Sequence, residues 1–128
     1  NMQNNPVYKS INYEIIKDLS KKIDLAQNNG VCDIIIDPGF GFGKTIEHNY
    51  QILNNLKLYK ILDKPILVGI SRKSMIYKLL KTEPSKALNG TTVLNTIALI
   101  NGANILRVHD VKEAKEVIKL CSFLKENV

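Results

Sequence analysis

The apolar positions of the chain follow two spacings, one typical of helices and one of buried strands. Between residues 11 and 28 they recur every three to four positions, which predicts an amphipathic helix ended by Asn28-Asn29-Gly30. Three short β-branched runs indicate buried parallel strands, at 32–37, 65–70 and 103–110. Further helices are predicted at 50–61, from a serine cap within 71–80, at 92–100 and at 111–127.

Each predicted strand ends in polar residues. The first ends at Asp37, the second runs into Ser71-Arg72-Lys73-Ser74 and the third into Arg107-Val108-His109-Asp110. In a (β/α)8 barrel such residues face one mouth, whereas an open sheet gathers its ligand at a single switch point. A whole barrel takes about 250 residues. The pattern therefore predicts an α/β fold in which residues 1–128 form the C-terminal half of a TIM barrel, with its last three strands and their helices.

Composition excludes several function classes. Hydrophobic residues make up 45% of the 128 residues, but no apolar run reaches the roughly 20 residues of a membrane span. Without a visible secretory signal, Cys32 and Cys121 are expected to be reduced thiols in the cytoplasm. The net charge of +6 permits an anionic partner. Aromatic residues are few and no basic cluster is interleaved with them, so neither nucleic acid nor membrane is expected as a partner.

The stretch "DPGFGFGKT" at 37–45 resembles a phosphate-binding loop only superficially. A P-loop has a glycine five positions before Gly43, where this chain has Pro38, whose fixed φ excludes the required conformation. The dinucleotide fingerprint fails as well, because Lys44 stands where its last glycine belongs. The glycines are therefore expected to let backbone approach a flat ligand rather than a phosphate.

Three motifs together carry a family resemblance. "DPGFGFGK", "LVGISRKSMI" and "RVHDV", in this order and at this spacing, resemble dihydropteroate synthase, the folate-pathway enzyme whose substrate sulfonamide drugs imitate. The opening "NMQNNP" is similar to the family's H-M-Q-G-x-P segment, with Asn1 in place of the usual histidine. The resemblance covers nearly the whole chain and implies the (β/α)8 fold. It also implies condensation of 6-hydroxymethyl-7,8-dihydropterin pyrophosphate with p-aminobenzoate, giving 7,8-dihydropteroate and pyrophosphate.

The resemblance further implies a cofactor and an assembly. The family uses Mg²⁺, held by an asparagine in its first strands, so no metal ligand is expected among these 128 residues. Two mobile loops of the family also belong to that first half, and we expect this chain alone to be inactive and to self-associate. The family forms a homodimer through its final helices, where Tyr59, Tyr77 and Leu80 are candidates for the contact.

Asp37, Lys73 and Ser74 are candidate substrate-binding residues. A carboxylate can accept from the parallel N3–H and 2-amino donors of a pterin, although an Asp-Pro-Gly sequence also favours a simple loop cap. The resemblance assigns Lys73 to the pterin carbonyl and ring nitrogen. Ser74, at a helix start, suits the aminobenzoate carboxylate. The alternative for "SRKS" is a capped basic first turn.

Arg107 and His109 are the candidate anion site. Alternation along a strand places both side chains on one face, where guanidinium and imidazole can bind pyrophosphate and, with Lys73, act in catalysis. The alternative is an Arg107–Asp110 ion pair beside a packed histidine. By resemblance, Met2 forms a floor under the pterin and Phe42 walls the aminobenzoate slot.

Other polar and aromatic residues are expected to be structural. His48 suits a helix cap, Arg72 a structural or rim charge, and Phe40 the interior. Tyr50, Tyr59 and Tyr77 suit packing or an interface. Two other functions stay open: a pterin-binding methyltransferase domain, which has no need of the Arg107–His109 pair, and a non-catalytic half-barrel that mediates interaction.

Overall fold

The structure of the chain is a computed structural model that describes residues 10–41 and 43–128. The candidate residues Met2 and Phe42 lie outside the described residues. Within these ranges, no helix combines the length and apolar character needed to cross a bilayer.

Helix α1, Ile11–Asn28, confirms the first predicted helix. The Ser10 hydroxyl accepts from the backbone N–H groups of Asn12 and Tyr13, which satisfies two of the donors left open at a helix start. Beyond the helix, Gly30 has φ +88°, a left-handed conformation that stops the helix without side-chain strain. Local sequence signals thus define both ends of α1.

The remaining helical segments agree with the predictions in place but not always in length, except for the turn Pro84–Lys86, which was not predicted. They are α2 Ile46–Asn54, a 3₁₀ helix Leu56–Leu62, α3 Ser74–Tyr77, a 3₁₀ turn Pro84–Lys86, α4 Leu88–Ile100 and α5 Val111–Glu126. The single helix predicted at 50–61 is divided at Asn55 into an α and a 3₁₀ segment.

The predicted serine cap of α3 is wrong. The N-cap position is occupied by Lys73 and makes no side-chain capping bond. Ser74 is already the first helical residue, and the Ser71 hydroxyl is committed to His109. Helix α3 spans four residues.

The sheet is parallel, as predicted, but its strands are short. Strands β1, Leu67–Val68, and β2, Ile105–Leu106, pair directly, with Leu67 opposite Ile105. The predicted strand at 32–37 is wrong in extent, because it joins the sheet only through the parallel bridge between Ile36 and Ile66. A backbone hydrogen bond between strands needs a residue of the neighbouring strand in register with it. The three segments are in register over only one or two residues among those that the structure describes.

The sheet has one covered and one open face. Ile36, Ile66, Val68 and Ile70 lie at or below 2% exposure in the core against the helices. Residues of opposite parity, such as Ile35 at 55% exposure, lie on the other face. By the same alternation and pairing, this face carries Asp37, Ser71, Arg107 and His109.

Tyrosine packing ties the helices to the core. The Tyr59 hydroxyl is buried and donates to Asn12 Oδ1 at 2.8 Å, and the Tyr50 hydroxyl donates to the Met75 carbonyl at 2.7 Å. Because Tyr59 is 0% exposed, its predicted place in a dimer contact is wrong. Leu80 is exposed and Tyr77 half-buried, so these two stay candidates.

Candidate functional site

The three polar segment ends meet at one edge of the sheet. Arg107, which follows β2, crosses to Asp37 after the first segment, with Nη1 3.2 Å from Oδ2. Ser71 after β1 contacts His109 after β2, with Oγ 2.8 Å from Nδ1. Side chains separated by as many as 70 residues in sequence thus form one polar cluster.

Asp37 combines the two roles considered for it from sequence. Its Oδ1 accepts the Gly39 backbone N–H at 2.8 Å, which is the loop-capping bond, and Oδ2 accepts from Arg107. Each carboxylate oxygen has two acceptor sites, so both oxygens can accept further donors. The side chain is 36% exposed, which leaves it accessible to a ligand.

The Arg107–Asp110 ion pair, considered as the alternative to an anion site, is not formed. Asp110 instead accepts two bonds from Arg72, at 2.9 Å from Nε and 3.0 Å from Nη2. Arg72 also donates to the Pro84 carbonyl at 2.7 Å, which confirms it as a structural charge. The hydrogen bond from Arg72 holds the pKa of Asp110 below its usual value. Arg107 is therefore left to Asp37.

The glycine loop is folded around two lysines. Gly39, Gly41 and Gly43 all have positive φ, which explains why the motif needs residues without a Cβ here. Lys73 Nζ donates to the Phe40 carbonyl at 2.8 Å, and Lys44 Nζ donates to the Gly39 carbonyl. Their ammonium groups therefore lie against the loop that carries Asp37.

The pKa of Lys73 is lowered, first by burial and then by the positive charge of Arg107, while Asp37 partly opposes this shift. The site therefore places three cations, Lys44, Lys73 and Arg107, around one carboxylate. This electrostatic character favours an anionic or electron-rich ligand.

Gly69 is a site residue that sequence reasoning missed. A Cβ placed there would lie 2.8 Å from Arg107 Cζ and 2.9 Å from Nε, and would also touch Nη2. Only glycine leaves room for the guanidinium to cross the strand toward Asp37. The signal was present in the alternation of 67, 69 and 71, which places these residues on the open face.

Ser71 is the second residue that was missed. It is 5% exposed, and its Oγ accepts the His109 backbone N–H at 3.2 Å in addition to contacting the imidazole. His109 is exposed and not packed in the interior. The same alternation could have singled out Ser71, since it follows Gly69 by two positions.

The remaining candidates stand at or beside this cluster. Ser74 is half-buried and directly follows Lys73, at the start of a helix too short to offer the predicted helix-dipole effect on a carboxylate. Phe40 is 1% exposed, which confirms its inward packing. His48 forms a capping box with Thr45, which confirms its structural role.

The arrangement does not suit a metal ion. Among residues 10–41 and 43–128, no group of three or more His, Cys, Asp or Glu side chains converges. The carboxylate at the site, Asp37, is already paired with Arg107, and the nearby ammonium groups would repel a divalent cation. The cluster is suited to bind the donors of a heterocycle and the oxygens of an anion.

Comparison with known proteins agrees with the motifs. The family model for pterin binding enzymes matches residues 1–109. The dihydropteroate synthase of Escherichia coli K12 is 40% identical over 121 residues, which are 93% of this chain and 43% of that protein. The chain thus spans about half the length of the curated relatives it matches.

Solved structures give the same result. The chain is similar to 7,8-dihydropteroate synthase from Vibrio fischeri, with a TM-score of 0.90 and 44% identity, over 99% of this chain and 48% of that one. It is also similar to the Yersinia pestis dihydropteroate synthase in a sulfonamide drug complex, with a TM-score of 0.91 and 37% identity, over 100% of this chain and 47% of that one. The predicted resemblance is confirmed, and the chain belongs to the family of pterin binding enzymes.

Proposed function

We propose that this chain is the C-terminal half of the (β/α)8 barrel of a dihydropteroate synthase. Its strands are parallel, its polar cluster lies where strands end, and its relatives are about twice as long. The reaction is condensation of 6-hydroxymethyl-7,8-dihydropterin pyrophosphate with p-aminobenzoate. Residues 1–128 supply most of the groups that hold the pterin and its leaving group.

The observation that carries the proposal is the Asp37–Arg107 ion pair, which lies beside the ammonium groups of Lys44 and Lys73. A pterin presents two parallel N–H donors on one edge, the same pattern that a guanidinium presents to a carboxylate. The pterin therefore takes over Asp37 as its acceptor, and Arg107 is released toward the anionic tail. Lys73 donates to the electron-rich carbonyl edge of the ring.

The leaving group and the nucleophile use the rest of the cluster. Arg107 and His109 bind the pyrophosphate oxygens, which favours cleavage of the C–O bond to a pterin-stabilised carbocation. The neutral aromatic amine captures this carbon without a general base. Ser74 binds the carboxylate of p-aminobenzoate, and the sulfonamide complex of the Yersinia pestis relative supports a slot for such a ring.

The family resemblance supplies the remaining contacts and the assembly. Met2 forms the pterin floor and Phe42 walls the aminobenzoate slot. Mg²⁺, which would offset the charge of the pyrophosphate, is held by residues outside this cation-rich cluster. The complete enzyme is a cytoplasmic homodimer. A methyltransferase that binds pterins is disfavoured because it does not need the anion-binding pair.

Titration of the complete enzyme with a dihydropterin analogue tests the pterin site. Asp37→Asn replaces one acceptor oxygen by a repelling donor, and the loss of a charge-assisted bond costs about 2 kcal/mol, or roughly thirty-fold in Kd. The matched control is Asp33→Asn, an exposed aspartate in the same segment. Calorimetry should show the loss only for Asp37→Asn, and equal affinities for all three proteins would refute the assignment.

A further inference from the structure

Ser71 is positioned to determine which imidazole nitrogen of His109 carries the proton. We propose that Ser71 is a positioning residue that holds neutral His109 in the tautomer protonated at Nε2, so that the imidazole presents an N–H donor to the pyrophosphate. This inference rests on the proposed function for its catalytic meaning. The tautomer itself follows from contacts within the chain.

The hydrogen bonds around Ser71 Oγ leave one consistent assignment. The His109 backbone N–H, 3.2 Å away, can only donate, so Oγ accepts it. The hydroxyl proton needs an acceptor, because Ser71 is 5% exposed. Within residues 10–41 and 43–128, the acceptor within hydrogen-bonding distance is His109 Nδ1 at 2.8 Å. The hydroxyl therefore donates to Nδ1, which must be unprotonated.

The same donors and acceptors around Ser71 Oγ disfavour the tautomer of His109 that is protonated at Nδ1. With a proton on Nδ1, Oγ would accept two N–H groups and its own O–H would be buried without an acceptor. A neutral imidazole with unprotonated Nδ1 carries its proton on Nε2. On an exposed side chain at the site, this nitrogen is the one left to meet an anion.

The neighbouring residues fix this contact. One residue beyond Ser71, Arg72 has φ +56° and binds Asp110, the residue after His109, through two bonds. The Arg72 backbone N–H also donates to Thr91 Oγ1 at 3.0 Å. The Ser71–His109 and Arg72–Asp110 contacts join the same two chain segments at successive residues. Together they hold Ser71 Oγ against the imidazole.

The tautomer has a chemical consequence for the reaction. Phosphate oxygens only accept hydrogen bonds, so an unprotonated nitrogen aimed at pyrophosphate would repel it. The Nε2–H donor reinforces the charge of Arg107 on the same anion. Ser71 thus acts through His109 and does not itself touch the leaving group.

Nitrogen NMR of the ¹⁵N-histidine-labelled complete enzyme tests the assignment directly. The signals lost in His48→Gln and in His109→Gln assign the two histidines of residues 1–128, and His48, which forms a capping box with Thr45, serves as an internal control. Spectra are compared at a pH above which the imidazole signals no longer move. We expect His109 to show protonated Nε2, a tautomer mixture in Ser71→Ala, and the original state in Ser71→Thr, with His48 unchanged.

Binding provides the second readout. Ser71→Ala should weaken pyrophosphate several-fold without changing affinity for a pterin that lacks the pyrophosphate tail, and Ser71→Thr should restore it. A protonated Nδ1 in the unsubstituted chain would overturn the inference even if Ser71→Ala failed to fold, as would an unchanged tautomer in Ser71→Ala. Failure of the proposed function would appear separately, as unchanged pterin affinity in Asp37→Asn.

Discussion

Replacing Gly69 by alanine should disable the anion site while leaving the fold intact. The added Cβ would lie 2.8 Å from Arg107 Cζ and 2.9 Å from Nε, well inside van der Waals contact. The obstacle is the end of a long side chain with 57% exposure, so Arg107 can swing away from Asp37. Gly69 also has no left-handed φ, so alanine adds no backbone strain.

The magnitudes of the two effects differ. Losing an exposed ion pair costs about 0 to 1 kcal/mol of stability, and alanine returns a similar amount by restricting the unfolded chain. The net change in the free energy of unfolding should therefore be within about 1 kcal/mol of zero. Displacing Arg107 from an anion removes a charged hydrogen bond worth about 1.5 to 3 kcal/mol, or roughly ten- to a hundred-fold in Kd.

Two measurements on each variant separate these effects. Chemical denaturation gives the free energy of unfolding, and calorimetry gives the affinity for pyrophosphate. Gly30→Ala is the contrasting control, because Gly30 has φ +88° and no atom lies within 4 Å of the position that an added Cβ would take. It should lose about 1 kcal/mol of stability and keep its affinity. Full pyrophosphate affinity in Gly69→Ala would refute the reasoning.

Three further predictions concern the core, the acid response and the isolated chain. Tyr59→Phe should lower the free energy of unfolding by about 1 to 3 kcal/mol, because it leaves the side-chain oxygen Oδ1 of Asn12 buried without its donor. An unchanged denaturation midpoint would contradict this. Arg72 lowers the folded-state pKa of Asp110, so this pair contributes stability above the ordinary carboxyl value of 3.8 and loses it as pH falls through the lower folded value. The melting temperature of Asp110→Asn should therefore fall less steeply with decreasing pH than that of the unsubstituted protein. Parallel plots of melting temperature against pH for the two proteins would count against the pairing. Finally, the 128 residues alone should make no dihydropteroate and should self-associate through open sheet edges, as seen by light scattering; an active monomer would show the opposite.

Helices α1 and α5 were predictable because their signals are local. Ser10 and Gly30 are adjacent in sequence to the ends of α1, and periodicity alone placed α5 at Val111–Glu126. The strands were predictable in order but not in length, because a ladder depends on neighbours that a one-dimensional pattern does not contain. The segment at 32–37, with a single bridge, shows this most clearly.

The candidate site was predictable in composition but not in its pairing. Asp37, Arg107 and His109 were singled out because polar groups at strand ends gather at one edge, and the family resemblance singled out Lys73. Which carboxylate pairs with Arg107 depends on contacts across 70 residues, and the nearer Asp110 was the wrong choice as an alternative. The alternation of Arg107 and His109 along their strand correctly predicted that both side chains lie on one face of the sheet.

In the proposed function, one cluster holds both the pterin and its pyrophosphate tail, and Arg107 binds the tail. The most direct test compares Arg107→Ala with the unsubstituted protein, both in the complete enzyme, on two ligands: the pterin pyrophosphate and the same pterin without the tail. Affinity for the tail-bearing ligand should fall at least about ten-fold, while the other should be unchanged or improve because Asp37 loses its competitor. Equal weakening of both ligands would contradict the claim and make Arg107 a structural partner of Asp37.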